Sequence, residues 1–198
     1  MGFSILHAHP EPLVQWGVVI GASLVAAVTD LRARRIPNVL TFPLVLSGWV
    51  GSTIACGAPG LLDSFLASLL LAAPFVLLFA FAGGGAGDAK LMGGIGAWLG
   101  LLDGAIALAA VCVAGMVLAV AFAARKRRLR AALGNVTGAA FGLLPTVFGS
   151  GSLREAGRDV ARTLPAADEG QKMPYGLAIS AGTLLAAGVL WIWKTQGN

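Results

Sequence analysis

Thr29-Asp30-Leu31-Arg32-Ala33-Arg34-Arg35-Ile36-Pro37-Asn38 is the stretch that decides the architecture. It closes an apolar run, residues 13–29, that approaches the roughly 20 residues a helix needs to cross a hydrocarbon core. Directly after that run come an acid and three arginines, and beyond Pro37 the apolar pattern resumes. Basic residues gathered at one edge of a span orient it by the positive-inside rule, which puts this edge on the cytoplasmic side and Glu11 outside. Pro37 suits the opening of the next helix, where a missing N–H costs nothing.

Working outward, a second span runs from Pro37 to about Cys56, and residues 57–63 read as a short outer turn. A third span, about 64–82, carries Pro74, which neighbouring helices can accommodate by covering the freed carbonyl. It ends at Gly83-Gly84-Gly85-Ala86-Gly87-Asp88-Ala89-Lys90-Leu91-Met92. Residues 91–124 are too long for one span and a little short for two. Asp103-Gly104 is the expected outer turn between a short fourth span, about 89–102, and a full fifth. Arg125-Lys126-Arg127-Arg128-Leu129-Arg130 then stops transfer. Residues 125–172 form the sizeable aqueous part, with 131–148 expected at the interface. The last span, 174–193, ends in Trp191 and Trp193, an outer aromatic belt. The expected fold is all-α: a polytopic integral membrane protein of about six helices, both termini outside, forming one domain over residues 1–198.

Composition agrees. Of 198 residues, 57% are hydrophobic and 12% charged, against about 25% charged in a soluble domain. The excess of Lys and Arg, 14 against 9 acids, does not point to nucleic acid. All of the cations but Lys194 lie in 32–35, at Lys90 or in 125–172, so membrane lipids are the expected contact. The basic run from Arg125 to Arg130 suits anionic head groups, though an orientation signal explains it without further assumption. Cys56 and Cys112 fall in apolar stretches without Cys-x-x-Cys spacing and read as buried small side chains. His7 and His9 belong to a polar N-terminus that lacks the basic region of a signal peptide. A zinc site needs about four ligands, so no metal and no cofactor is expected.

Two apolar stretches separate Asp30 from Asp88, and two crossings return a chain to the side it left. Both carboxylates are therefore expected at one face, while Asp63 and Asp103 fall on the other as plain turn residues. Carboxylates held close can share one proton, so that one is general base to a water and the other an acid. That is the chemistry of an aspartic protease at a membrane border. Asp30 is expected at the C-terminal end of its helix and Asp88 as an N-cap, so helix dipoles favour the anion at Asp88 over Asp30. Gly83, Gly84, Gly85 and Gly87 permit an unwound segment that a substrate backbone can approach. A phosphate loop is excluded, since that motif needs Gly-Lys followed by Ser or Thr. Lys90 either neutralises the pair, reaches a substrate carboxylate, or is a plain cation at the membrane edge. A non-enzymatic membrane component, such as a transport subunit or an assembly scaffold, is the rival class; acids in transporters cluster nearer the midplane.

The text from Asp30-x-Arg32 through Ile36-Pro37-Asn38, followed by Gly85-Ala86-Gly87-Asp88-Ala89-Lys90-Leu91, resembles the paired signatures of the type IV prepilin peptidases, Gly-x-Gly-Asp aspartic proteases of bacterial inner membranes. Met173-Pro174-Tyr175-Gly176 is similar to a Pro-Tyr-Gly element of the same family. The resemblance implies that Asp30 and Asp88 are catalytic, and that Gly85, Gly87, Lys90, Arg32, Pro37 and Asn38 bind substrate or shape the loops. It implies a prepilin precursor as partner, cut behind a short basic leader at the cytoplasmic face. Longer members carry an insertion with paired Cys-x-x-Cys motifs linked to methylation. This chain resembles instead the short members that serve tight-adherence (Flp-type) pili. Gly84 stands where many relatives have a bulkier apolar residue.

Overall fold

A computed structural model describes residues 12–82, 85–125 and 175–196, and every element among them is helical. The helices are α1 (Pro12–Ala33), α2 (Asn38–Ala82), α3 (Ala86–Arg125) and α4 (Tyr175–Gln196). All four are long and apolar enough to cross a membrane. With 45 and 40 residues, α2 and α3 each have about twice the length one crossing takes.

Each of these two helices breaks at a single glycine. Gly57 adopts φ 65°, ψ −148° and Gly100 φ 71°, ψ −171°, a region of backbone space nearly closed to any residue with a Cβ. At Gly57 the chain doubles back. Trp49 Nε1 donates to Ser68 Oγ at 3.0 Å across 19 positions, a separation that continuous helix stretches to about 28 Å. Trp49 and Phe65 also meet in a tilted ring pair, 5.3 Å between centroids. The same happens in α3. Before the break Gly96 lies against Ala67 and Gly93 against Ala72, whereas past it Gly104 lies against Leu71. Asp63 Oδ2 accepts the Leu101 N–H at 3.4 Å, taking a donor that the interrupted helix leaves without an intrahelical acceptor.

The arm of α3 over residues 86–99 is the centre of the bundle. Residues 91–97 are all buried, which suits a segment apolar on every side. Its glycines let neighbours close in, Leu44 on Gly94 and the Ala67 backbone on Gly96. Small residues serve membrane helices this way because packing, rather than water exclusion, holds them together. Trp98 Nε1 donates to the Leu44 carbonyl at 3.0 Å, and Ser64 Oγ donates to that of Ala97. On the other side α1 packs mainly on α4, with Ser23 and Thr183 sharing a buried hydroxyl hydrogen bond of 3.0 Å. Gly182 seats α4 in turn on Val111 of α3. Large apolar side chains face outward from every helix, among them Leu13, Val39, Ile54, Val117 and Trp193, a surface matched to lipid.

The expected boundaries shift in three places. The first helix does not stop at Thr29 but continues to Ala33. Arg34 closes it in the left-handed conformation (φ 50°), its N–H bonded to the Asp30 carbonyl at 2.8 Å. Asp30 thus lies within the last turns of a helix. The outer turns are also tighter than expected. Helix resumes directly after Gly57 instead of waiting until residue 64, and the second reversal is at Gly100, not Asp103-Gly104. Asp63 and Asp103 are consequently helical and half-buried. The expectation that both cysteines are buried is corrected too: Cys56 is half-buried and Cys112 exposed on the apolar exterior. His7, His9, Glu11, Gly83, Gly84, Arg127, Arg128, Arg130 and the interfacial segment 131–148 lie outside the described residues.

Candidate active site at one end of the bundle

Four chain segments meet at one end of the bundle: the close of α1, the openings of α2 and α3, and the first turn of α4. Asp30 arrives on α1 and Asp88 on α3, and the charge of Asp30 reaches Asp88. Asp30 is half-buried, and Asp88 is 7% exposed. Asp63 lies at the far end, beside the Gly100 break.

The two glycines before Asp88 have separate roles. Gly85 precedes α3, and its carbonyl accepts the Asp88 N–H at 3.1 Å. Asp88 is therefore the third residue of the helix rather than its cap, and its carboxylate folds back over Gly85. A Cβ there would lie 2.6 Å from Asp88 Oδ2. The third helical position is where a capping box carries its acid. Gly87 faces the α1–α2 connection instead, where a Cβ would lie 2.9 Å from Ile36 Cβ. Gly85 makes room for the carboxylate, and Gly87 lets the segment after Asp30 press against the segment before Asp88.

Pro37 stands just before α2, and its carbonyl accepts the N–H groups of Leu40 (3.1 Å) and Thr41 (3.4 Å). Asn38, the first residue of α2, is tied to α3: Lys90 Nζ donates to Asn38 Oδ1 at 3.0 Å. The same ammonium lies 5.3 Å from the centre of the Phe42 ring, a cation–π contact. Lys90 thus binds α3 to the start of α2. Arg32, Arg34 and Arg35 are exposed.

In the sequence Gly176 stands out only through the Pro-Tyr-Gly resemblance, which gives it no role. Its N–H donates to Asp30 Oδ2 at 2.9 Å. Asp30 therefore faces the N-terminus of α4, while Asp88 sits in the first turn of α3. Asp30 keeps the expected place in the last turn of α1 but also meets the positive end of α4, which offsets the dipole contrast expected between it and Asp88. Ile36 and Tyr175 complete the surroundings. A lone Ile before a proline and a lone Tyr at a span edge are too common in sequence to stand out. Among the described residues no group of three or more His, Cys, Asp or Glu is placed to hold a metal ion.

Compared with known proteins, residues 17–120 match the family model described as the type IV leader peptidase family. This match takes in both aspartates, both glycine reversals and the central arm of α3. A search of curated proteins and a search of solved structures each returned no match.

Proposed function

The chain belongs to the type IV leader peptidase family, and from that premise we propose that it is an aspartic endopeptidase of the bacterial inner membrane. Its substrate in this reading is a prepilin-like precursor of the tight-adherence type, with a short basic leader joined to an apolar helix. The observation that carries the proposal is the meeting of Asp30 and Asp88, from two different helices, at one end of a bundle with an apolar exterior.

The chemistry follows from the pair. One carboxylate takes a proton from a water as that water attacks the scissile carbonyl. The other, protonated, supports the developing oxyanion and passes its proton to the leaving amine. Breaking the C–N bond leaves the leader with a new carboxylate and the mature chain with a new amino group. The water provides one oxygen and the protons, so the reaction consumes no other reagent.

A precursor of this kind has its leader in the cytoplasm and its apolar helix in the bilayer. Its cut site then lies where those two phases meet, which suits a pair at the end of the bundle on the side of Arg32, Arg34 and Arg35. The reversals at Gly57 and Gly100 support six crossings with both termini outside, since each divides a double-length helix into two antiparallel arms. The purified protein in liposomes, offered a precursor with a basic leader and an apolar helix, tests the proposal. Mass spectrometry of the products should find a single cut at the junction. A precursor left intact, or cut within its apolar helix, would count against this reading.

A further inference from the structure

Asp30 sits on the helix least tied to the others. Helix α1 touches α2 and α3 little and packs mainly on α4, which itself packs closely on α3. Besides the direct contact of Ile36 with Gly87, the position of Asp30 relative to Asp88 is therefore set mainly through α4. Three contacts define that path: Ser23 with Thr183 at 3.0 Å, Gly182 seated on Val111, and Gly176 N–H on Asp30 Oδ2 at 2.9 Å.

The last of these leaves little room for a side chain. A Cβ at position 176 would lie 3.0 Å from Asp30 Cβ, 3.1 Å from Asp30 Oδ2 and 3.3 Å from the Ala26 carbonyl oxygen. The first turn of α4 crosses α1 directly over the turn that bears Asp30, and a Cβ there would press on Asp30 and push the two helices apart by a few tenths of an ångström. The donor is one of the N–H groups that a helix leaves without an internal acceptor at its start, and the local dipole favours a carboxylate there. Tyr175, one residue earlier, lies within reach of the Asp88 charge. A single helical turn thus borders both carboxylates.

We propose that Gly176 is a positioning residue for the reaction: its N–H holds one oxygen of Asp30, and its bare Cα allows α4 to close on α1 and set Asp30 against Asp88. The inference rests on the reading of Asp30 and Asp88 as the catalytic pair. It adds α4, from beyond the region that the family model matches, to the elements that build the site.

The test uses the full chain in liposomes. Glycolic acid in place of Gly176 turns the amide into an ester, deleting the N–H and adding no side chain. Gly176→Ala keeps the N–H and adds the Cβ. Gly188→Ala, where a Cβ meets nothing within 4 Å, is the control. Two readouts are taken: kcat and KM for precursor cleavage, and the infrared carboxylate bands of isotope-labelled aspartate in the resting protein. The Asp30 band is identified by its loss in Asp30→Asn. The ester should lower kcat about tenfold or more with KM within about twofold, as expected for loss of a group that orients the reacting pair, and should shift the Asp30 band. Gly176→Ala should lose at least as much turnover, and Gly188→Ala none. An ester variant with wild-type kcat, or an unmoved Asp30 band, overturns the proposal. A shifted band in a protein whose wild type cleaves no precursor supports the contact between Gly176 and Asp30 while sinking the peptidase reading, so the two failures are told apart.

Discussion

At the scale of single residues, the site is built as much by absent side chains as by present ones. Gly85 leaves space for the Asp88 carboxylate, and Gly87 leaves space for Ile36. Displacing a reacting group by about 1 Å can cost on the order of a hundredfold in rate. Gly85→Ala and Gly87→Ala are each expected to lower kcat by about tenfold to a hundredfold. The two should respond differently to a second change. Ile36→Gly removes the atom that a Cβ at 87 would strike, so it should restore part of the activity of Gly87→Ala and none of that of Gly85→Ala. Equal response of the two variants in a cleavage assay would show that the division of roles is wrong. The acids were legible in the sequence because a carboxylate at the edge of an apolar run is costly and stands out. Their supports were less so. Gly176 resembles any glycine at the start of a span until the chain folds and its N–H lies on an aspartate from a helix far away in sequence.

At the scale of elements, the two reversals depend on glycine for conformation, whereas the central arm depends on it for contact. Gly57 and Gly100 hold a backbone geometry that costs other residues about 1–3 kcal/mol. Gly57→Ala and Gly100→Ala should each lower the stability of the folded protein by about that amount, measured by denaturant unfolding in mixed micelles. Gly17→Ala lies mid-helix with open space around it and should be neutral or stabilising by up to about 1 kcal/mol. Wild-type stability in Gly100→Ala would mean that the break there is not intrinsic to the chain. The helices themselves were readable from apolar length and basic edges, and the break near residue 57 fell within an expected turn. The second break was placed three residues too late. Gly93, Gly94, Gly96, Gly100 and Gly104 look alike in sequence, and Asp103-Gly104 has the composition of a turn. Only packing separates them: Gly94, Gly96 and Gly104 face neighbours that a Cβ would strike, while Gly100 alone among these has positive φ. Asp63 was read as a turn residue because its partner, the N–H after Gly100, exists only once α3 has broken.

At the scale of the whole molecule, the sites at 30 and 88 share one end of the bundle and the reversals at 57 and 100 share the other. The proposed topology, six crossings with both termini outside, predicts a simple labelling pattern. In a protein lacking Cys56 and Cys112, a cysteine replacing Ile36 or Lys90 should react with a membrane-impermeant reagent only from the cytoplasmic side, and one replacing Ala58 only from outside. Reaction of both sets from one side would contradict the topology. The joining of Asp30 to Asp88 was legible from counting crossings, since an even number of spans between two residues returns them to one side. The role of α4 in that joining was not legible, because nothing in the text around residue 176 says which helix it will meet. The central claim is that these two carboxylates act together as the catalytic pair, and precursor cleavage by single mutants in liposomes tests it most directly. Asp30→Ala and Asp88→Ala should each abolish cleavage, and Asp30→Asn and Asp88→Asn should fail as well, since an amide keeps the shape but cannot cycle a proton. Asp103→Ala should cleave as the wild type does, and Asp63→Ala should keep its turnover while losing about 1 kcal/mol of stability with the N–H it caps. Wild-type cleavage by either the Asp30 or the Asp88 variant would contradict the account.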